Sequence, residues 1–208
     1  MSDAIYRGYD REALDAQYFL RPQVEDFEAF VVLYKQLSQE AREEFDCKLD
    51  ISYGEKPGEK LDIFMPDGAT NAPVHFFIHG GYWQSMDKSD FDYVAKGLVP
   101  RGAVTVVVNY TLAPEVQIDE IVRQNRAALA WTWKNIAQFG GDPDNIHVSG
   151  HSAGGHLTAM MAATDWQGFE SGLPVNLVKS GLPISGVFEL EPVRISFLND
   201  VLALDEAE

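Results

Sequence analysis

With a single cysteine, Cys47, the chain cannot close an intrachain disulfide, and nothing in it points to an oxidising compartment. Basic residues are scarce: 16 Lys and Arg stand against 32 Asp and Glu, a formal net charge of −16. That balance repels phosphate backbones and anionic lipid surfaces, so neither a nucleic-acid nor a membrane partner is expected. Long apolar runs are missing too. No stretch approaches the roughly 18 to 20 residues that span a bilayer, and the start, MSDAIYRGYDREALDAQYF, carries charges where a secretory signal would be apolar. The expectation is a soluble, cytoplasmic protein. No dinucleotide or phosphate-loop fingerprint occurs, and no cofactor is implied.

What is present is a core. Hydrophobic residues make up 46% of 208, enough for one domain and light for two that fold separately, and no repeat or linker divides the chain. VEDFEAFVVLYKQLSQEAREEF places Phe27, Phe30, Val31, Tyr34, Leu37, Ala41 and Phe45 three and four apart, which predicts an amphipathic packing helix. CKLDISYG and KLDIFM, separated by EKPGE, predict an antiparallel hairpin. From residue 74 apolar strands alternate with helices: VHFFIHG, then a helix over DKSDFDYVAKGLVPRG with Phe91, Val94, Ala95 and Leu98 on one face, then AVTVVVNY. A long helix follows over 118–139, with Ile118, Ile121, Val122, Asn125, Ala128, Leu129 and Ile136 along one side and a left-handed cap at Gly140 and Gly141. NIHVSG, AGGHLTAMMAAT and LPISGVF continue as strand, helix and strand. The alternation predicts an α/β fold, a mostly parallel sheet with helices on both faces.

Two motifs carry chemistry. Gly150-His151-Ser152-Ala153-Gly154 fits G-x-S-x-G, with Ile146 and Val148 alternating into it and Leu157, Met160, Met161 and Thr164 following at helical spacing. A serine between strand and helix stands on a sharp turn that lifts its hydroxyl clear of the sheet, and the glycines leave room for that strained backbone. Ser152 is therefore the expected nucleophile; the competing reading is a serine that only caps the helix. His151 and His156 flank it and are expected to pack. His147, His151 and His156, at spacings of four and five across a strand and a helix, do not form a metal set, so no metal site is expected. The second motif is FFIHGGYW: a glycine-rich turn after a strand can aim backbone N–H groups at a developing oxyanion. Cys47 is expected to be structural.

Residues 46–190 resemble the α/β-hydrolase fold, and HGGYW together with GHSAGG is similar to the branch of hormone-sensitive-lipase-like esterases and kynurenine formamidase (arylformamidase)-like serine hydrolases. LDAQYFLRPQVEDFEAF and the run YTLAPEVQIDEIVRQNRAALAWTWKNIAQFGGDPDNIHVSGHSAGGHL resemble the formamidase-like side of it. The resemblance implies one hydrolase domain over 1–208, with a helical cap-like segment over 1–45, core sheet and helices over 46–190, and the start of a lid-like segment over 191–208. It implies Ser152 as catalytic nucleophile and backbone N–H groups of Gly81, Tyr82 and Ala153 as the oxyanion hole. Tyr82 stands where many such esterases have a third glycine, which narrows the pocket; Tyr82 and Trp83 either flank a flat aryl substrate or pack.

The chain departs from the family pattern after the elbow. The triad order is serine, acid, histidine, yet His75, His79, His147, His151 and His156 all lie at or before the elbow helix, and Asp200 and Asp205 fall in the lid-like segment. The last two strands with the acid and histidine loops are expected to lie beyond residue 208, and their loss to expose a sheet edge. The reading is a serine hydrolase of a small-molecule carboxylic ester or aryl formamide, acting through an acyl-enzyme. A non-catalytic small-ligand-binding protein on this fold, or a thioesterase using the same machinery, competes with it.

Overall fold

The computed structural model describes residues 4–205; the acidic end of the lid-like segment, 206–208, and residues 1–3 of the cap-like segment lie outside the described residues. Its centre is a six-stranded sheet in the order β1-β2-β4-β3-β5-β6, formed by β1 (Asp46–Ser52), β2 (Lys60–Met65), β3 (Ala72–Ile78), β4 (Val104–Val108), β5 (Gly141–His151) and β6 (Val178–Ile184). The hairpin β1–β2 is antiparallel, β2 runs antiparallel to β4, and β4, β3, β5 and β6 are mutually parallel.

The two-residue period of the strands sorts the core into two layers. Leu61 and Ile63, Phe76 and Ile78, and Val106 and Val108 join one cluster, with Ile121, Leu129 and Leu157 from the helices α4 (Ile118–Asn135) and α5 (Ala153–Ala162). Phe64, Phe77 and Val107, pointing the other way, join Ala41, Phe91 and Ala95. Both faces of the sheet are thus covered, as the strand–helix alternation predicts. All five residues of β4 are buried, which fits a central strand of β-branched residues.

Helices depart from expectation in two places. In α2 (Phe27–Glu44) only Ser38 and Ala41 are fully buried; on the expected apolar face Phe27, Val31, Tyr34 and Leu37 are half-buried, with Tyr34 stacked on Tyr93 at 5.0 Å, and Phe30 is exposed. The stretch 88–101 is not one helix. It is three 3-10 turns, Lys88–Asp90, Asp92–Val94 and Val99–Arg101, around a single α-turn, α3 (Ala95–Leu98). Asp87 and Asp90 form a capping box across the first turn, Phe91 leaves the helical region at φ −121° and ψ 2°, and Pro100 cannot donate a helical hydrogen bond. Phe91 and Ala95 are nevertheless buried. Helix α4 continues into a 3-10 turn that ends at Gly140 with φ +80°, the expected left-handed cap.

Strand β6 forms one edge of the sheet, and Leu182 and Ile184 on it are exposed. The segment after it does not stand off as a flap. Before β6 the short helix α6 (Trp166–Phe169) buries Trp166; after it α7 (Glu191–Arg194) and α8 (Asn199–Leu202), with the link between them, bring Val193, Leu198 and Leu202 into the main core. The N-terminal helix α1 (Arg11–Tyr18) meets that segment: the Phe197 N–H donates to Asp15 at 2.8 Å, and the Phe19 and Phe197 rings meet edge to face at 6.1 Å. No helix among the described residues is long and apolar enough to cross a membrane.

Candidate active site

The strand order turns at β3: the chain passes from β3 to β4 on one side and returns to β5 on the other. In open parallel sheets the crevice at such a switch point, outside the C-terminal strand ends, is where ligands bind. Both motifs of the sequence sit there. Ile78 and Gly150 are register partners, so the turns after β3 and β5 leave the sheet side by side.

Ser152 occupies the sharp turn between β5 and α5 with φ +59° and ψ −118°, a conformation that costs a non-glycine residue about 1–3 kcal/mol. Surrounding bonds hold it there. Its N–H donates to the Ile184 carbonyl at 2.9 Å, and its own carbonyl accepts from Gly155 and His156 at 2.9 and 3.1 Å. The close packing explains the glycines: a Cβ on Gly154 would lie 2.1 Å from the Ile78 carbonyl oxygen, and one on Gly80 would lie 2.7 Å from the His151 carbonyl and 3.2 Å from the Ser152 Cβ. The loop after β3 therefore touches the serine. Ser152 precedes α5 but its side chain makes no capping bond, so the capping alternative is not the arrangement found.

The loop itself carries three successive residues at positive φ: Gly81 at 108°, Tyr82 at 50° and Trp83 at 59°. Consecutive N–H groups in such turns form a concavity suited to an anion. Gly81 is confined further, since a Cβ there would lie 2.2 Å from the Ser85 carbonyl, and that turn is closed by bonds from Gln84 and Ser85 N–H to the Gly81 carbonyl, each at 3.1 Å. Among the described residues the N–H groups of Gly81, Tyr82 and Ala153 donate to no other protein group. Tyr82 is half-buried against α1, its hydroxyl donating to the Tyr18 carbonyl at 3.3 Å. Trp83 is wholly buried, its ring edge-on to His156 at 5.3 Å. For Trp83 the packing alternative is the one found, because no face of the ring is open to a substrate.

Four of the five histidines are engaged elsewhere, while His151, expected to pack, is exposed on the turn itself. His75 Nε2 lies 2.7 Å from Ser149 Oγ, His147 bonds to Ser180 and Asn145, and His79 bonds to Gly80 and Asn109. Burial holds His156 near pKa 4, and burial with the His147 charge does the same to His75, so both are neutral packing groups at pH 7. Among the described residues no histidine or carboxylate is hydrogen-bonded to the Ser152 hydroxyl. No group of three His, Cys, Asp or Glu residues among them could hold a metal ion. Cys47 is half-buried in β1.

One charged cluster was not foreseen. Lys88 Nζ, just past the loop, lies 2.8 Å from Asp62 on β2 and 2.9 Å from Asp50 on β1. Arg42 of α2 reaches Asp92 at 2.7 Å and the Ser89 carbonyl. Burial, reinforced by Asp62, pushes Asp92 up to about 7. These pairs pin the hairpin and α2 to the segment that leads out of the glycine-rich loop. In sequence the charges of DKSDFDYV read as the polar side of a surface helix, and nothing local distinguishes the buried ones.

Comparison with known proteins agrees with the geometry. Residues 61–182 match the BD-FAE family model. A kynurenine formamidase of Danio rerio is 32% identical over 99% of this chain and 70% of its own length. A Silicibacter crystal structure described as a candidate thioesterase superposes with TM-score 0.82 at 30% identity, covering 93% of this chain and 71% of that one. An esterase from Pyrobaculum calidifontis gives TM-score 0.64 at 26% identity, covering 85% of this chain and 56% of its own. The sheet order, the turn at Ser152 and these likenesses coincide: the chain belongs to the α/β-hydrolase superfamily, on the branch of esterase- and arylformamidase-like hydrolases.

Proposed function

We propose that the protein cleaves a small carboxylic ester or aryl formamide through an acyl-enzyme on Ser152. The observation that carries this is the backbone of Ser152, φ +59° and ψ −118°, in contact with a loop of unpaired N–H groups. Attack of Oγ on the acyl carbon would give a tetrahedral oxyanion, received by the N–H groups of Gly81, Tyr82 and Ala153; such donors contribute about 10²–10³ each in kcat. Collapse expels the alcohol or amine, and water then releases the acid or formate. The proton taken from Oγ needs a base; His75, His79 and His147 are hydrogen-bonded elsewhere, His156 is buried edge-on to Trp83, and His151 is exposed on the turn, so we assign that role to a group outside these 208 residues. Tyr82, half-buried on the loop that meets the serine, favours a flat aromatic group on the substrate.

A thioesterase on the same machinery is the second reading, favoured by the Silicibacter likeness. Hydrolysis of an aryl ester, an N-formyl arylamine and an acyl-CoA, measured on protein expressed from the complete reading frame, separates them. The proposal expects one of the first two to be preferred at least tenfold over the acyl-CoA, with Ser152→Ala abolishing turnover. Binding without turnover of any of the three, or activity retained in Ser152→Ala, would overturn it.

A further inference from the structure

We infer that His79 is held as a buried imidazolium behind the glycine-rich loop, with Asn109 fixing its protons and Asp87 as counter-ion, and that this pair positions the Gly80–Gly81 peptide. The orientation of the Asn109 amide is determined on two sides. Its Nδ2 donates to Asp87 Oδ2 at 2.7 Å, and its Oδ1 accepts from the Lys88 N–H at 3.3 Å. Turning the amide over would set its oxygen against a carboxylate and its NH₂ against an N–H. Asp87 is itself the N-cap of the Lys88–Asp90 turn and accepts from Ser89 N–H at 2.9 Å. Burial raises its pKa, but the Ser89 bonds and the charges of Lys88 and His79 outweigh this and keep it ionised.

With the amide fixed, His79 Nε2 faces the oxygen of Asn109 at 3.1 Å, while Nδ1 faces the carbonyl oxygen of Gly80 at 2.8 Å. Both partners are acceptors. A neutral imidazole has one N–H and would turn a lone pair onto one of these oxygens; only the imidazolium donates to both. The ring lies between two aromatic faces, Tyr110 at 4.3 Å and 8° and Phe91 at 5.7 Å and 15°, an arrangement that suits a cation. Full burial pulls the imidazole below its ordinary value, against the two hydrogen bonds and the carboxylates of Asp87 and Asp90; the charged ring rests on the two facing acceptors, which leave no lone pair a partner. The neighbouring Lys88 ammonium is turned away onto Asp62 and Asp50, and the Tyr110 hydroxyl donates to the His79 carbonyl.

The consequence for the site follows from peptide geometry. The Gly80 carbonyl and the Gly81 N–H belong to one trans peptide and point in opposite directions. Anchoring the carbonyl on His79 therefore aims the Gly81 N–H away from His79, on a loop whose Gly80 lies against Ser152. The catalytic part rests on reading this loop as an oxyanion hole; the protonation state does not.

The test is long-range ¹H–¹⁵N correlation of ¹⁵N-histidine protein from pH 5.5 to 7.5, with His79 identified by its contacts to Tyr110. Both ring nitrogens of His79 are expected at protonated shifts throughout, and a nitrogen with an unprotonated shift at pH 7 overturns the inference whatever the enzyme hydrolyses. Asp87→Asn, isosteric and uncharged, should bring a His79 titration into that range; an unchanged spectrum refutes Asp87 as counter-ion. In Asn109→Ala one nitrogen should lose its proton and kcat should fall about tenfold or more, with KM within threefold. A change in thermal stability alone, with kcat intact, would refute the positioning role.

Discussion

Replacing Lys88 by Met tests how the loop is anchored. The side chains of Lys88 and Asp62 are 6% and 1% exposed, and the ammonium also holds Asp50. Met keeps most of the stem and removes the charge, leaving the Asp62 carboxylate with its bond from Asp50 N–H at 2.7 Å as the one remaining partner among the described groups. Breaking a buried pair from one side costs about 3–5 kcal/mol, because a carboxylate stays desolvated without its counter-charge. With a urea slope of about 2–3 kcal/mol/M, the midpoint at pH 7 should fall by roughly 1–2 M at unchanged slope. The loss should also depend on pH. Burial already raises the Asp62 carboxyl while Lys88 opposes it, so without Lys88 it rises further. A carboxyl whose folded pKa exceeds its unfolded value destabilises fully above the folded value and less as pH falls through it, so the gap to wild type should narrow from pH 7 toward pH 5. Lys88→Met with Asp62→Asn should recover half or more of the loss. A loss under about 1 kcal/mol, or a gap that does not narrow in acid, would refute the reasoning.

Three further outcomes follow from the same structure. Gly154→Ala drives a Cβ to 2.1 Å from the Ile78 carbonyl, so thermal unfolding should show a loss of at least about 1–3 kcal/mol together with reduced labelling of Ser152 by a fluorophosphonate; wild-type values of both would contradict the packing given for the elbow. Burial and the nearby Asp92, Asp62 and Asp46 raise the Cys47 thiol, so its alkylation by iodoacetamide at pH 8 should run about three- to tenfold slower than that of an unstructured cysteine peptide, and an equal rate would refute the shift. Leu182→Lys on the exposed β6 edge should leave stability within about 0.5 kcal/mol and reduce concentration-dependent light scattering, whereas a large stability loss would mean that Leu182 is packed.

The parts legible in the sequence were those with a local physical signature. Ile146 and Val148 leading into Gly150, with Leu157 and Met161 leading out, announce strand, turn and helix, and the glycines announce close approach; the structure has each. Gly140 announces the end of the long helix because a left-handed cap favours glycine. Tyr82 and Trp83 carry no such mark. They adopt positive φ because the loop is held from outside by the bonds into Gly81 and by the burial of Trp83, and tertiary constraints of that kind leave no periodicity. The stretch 88–101 misled for a related reason: Phe91, Val94, Ala95 and Leu98 have helical spacing, yet Asp87 and Asp90 bond to local backbone and break the helix into turns. Asn109, which links His79 to Asp87, sits after β4 in NYTLAPE with nothing in its neighbours to identify it, since its partners come from 22 and 30 residues away.

The central claim is that Ser152 is the nucleophile, and adduct mapping tests it most directly. Protein expressed from the complete reading frame is treated with a fluorophosphonate, digested with trypsin, and the peptide 135–179 is fragmented. This peptide holds Ser149, already bonded to His75, as well as Ser152, so fragmentation discriminates a serine that merely meets a histidine from the one on the elbow. The account predicts a single phosphonyl adduct on Ser152, lost in Ser152→Ala. An adduct on Ser149, or an unmodified peptide in active protein, would contradict it.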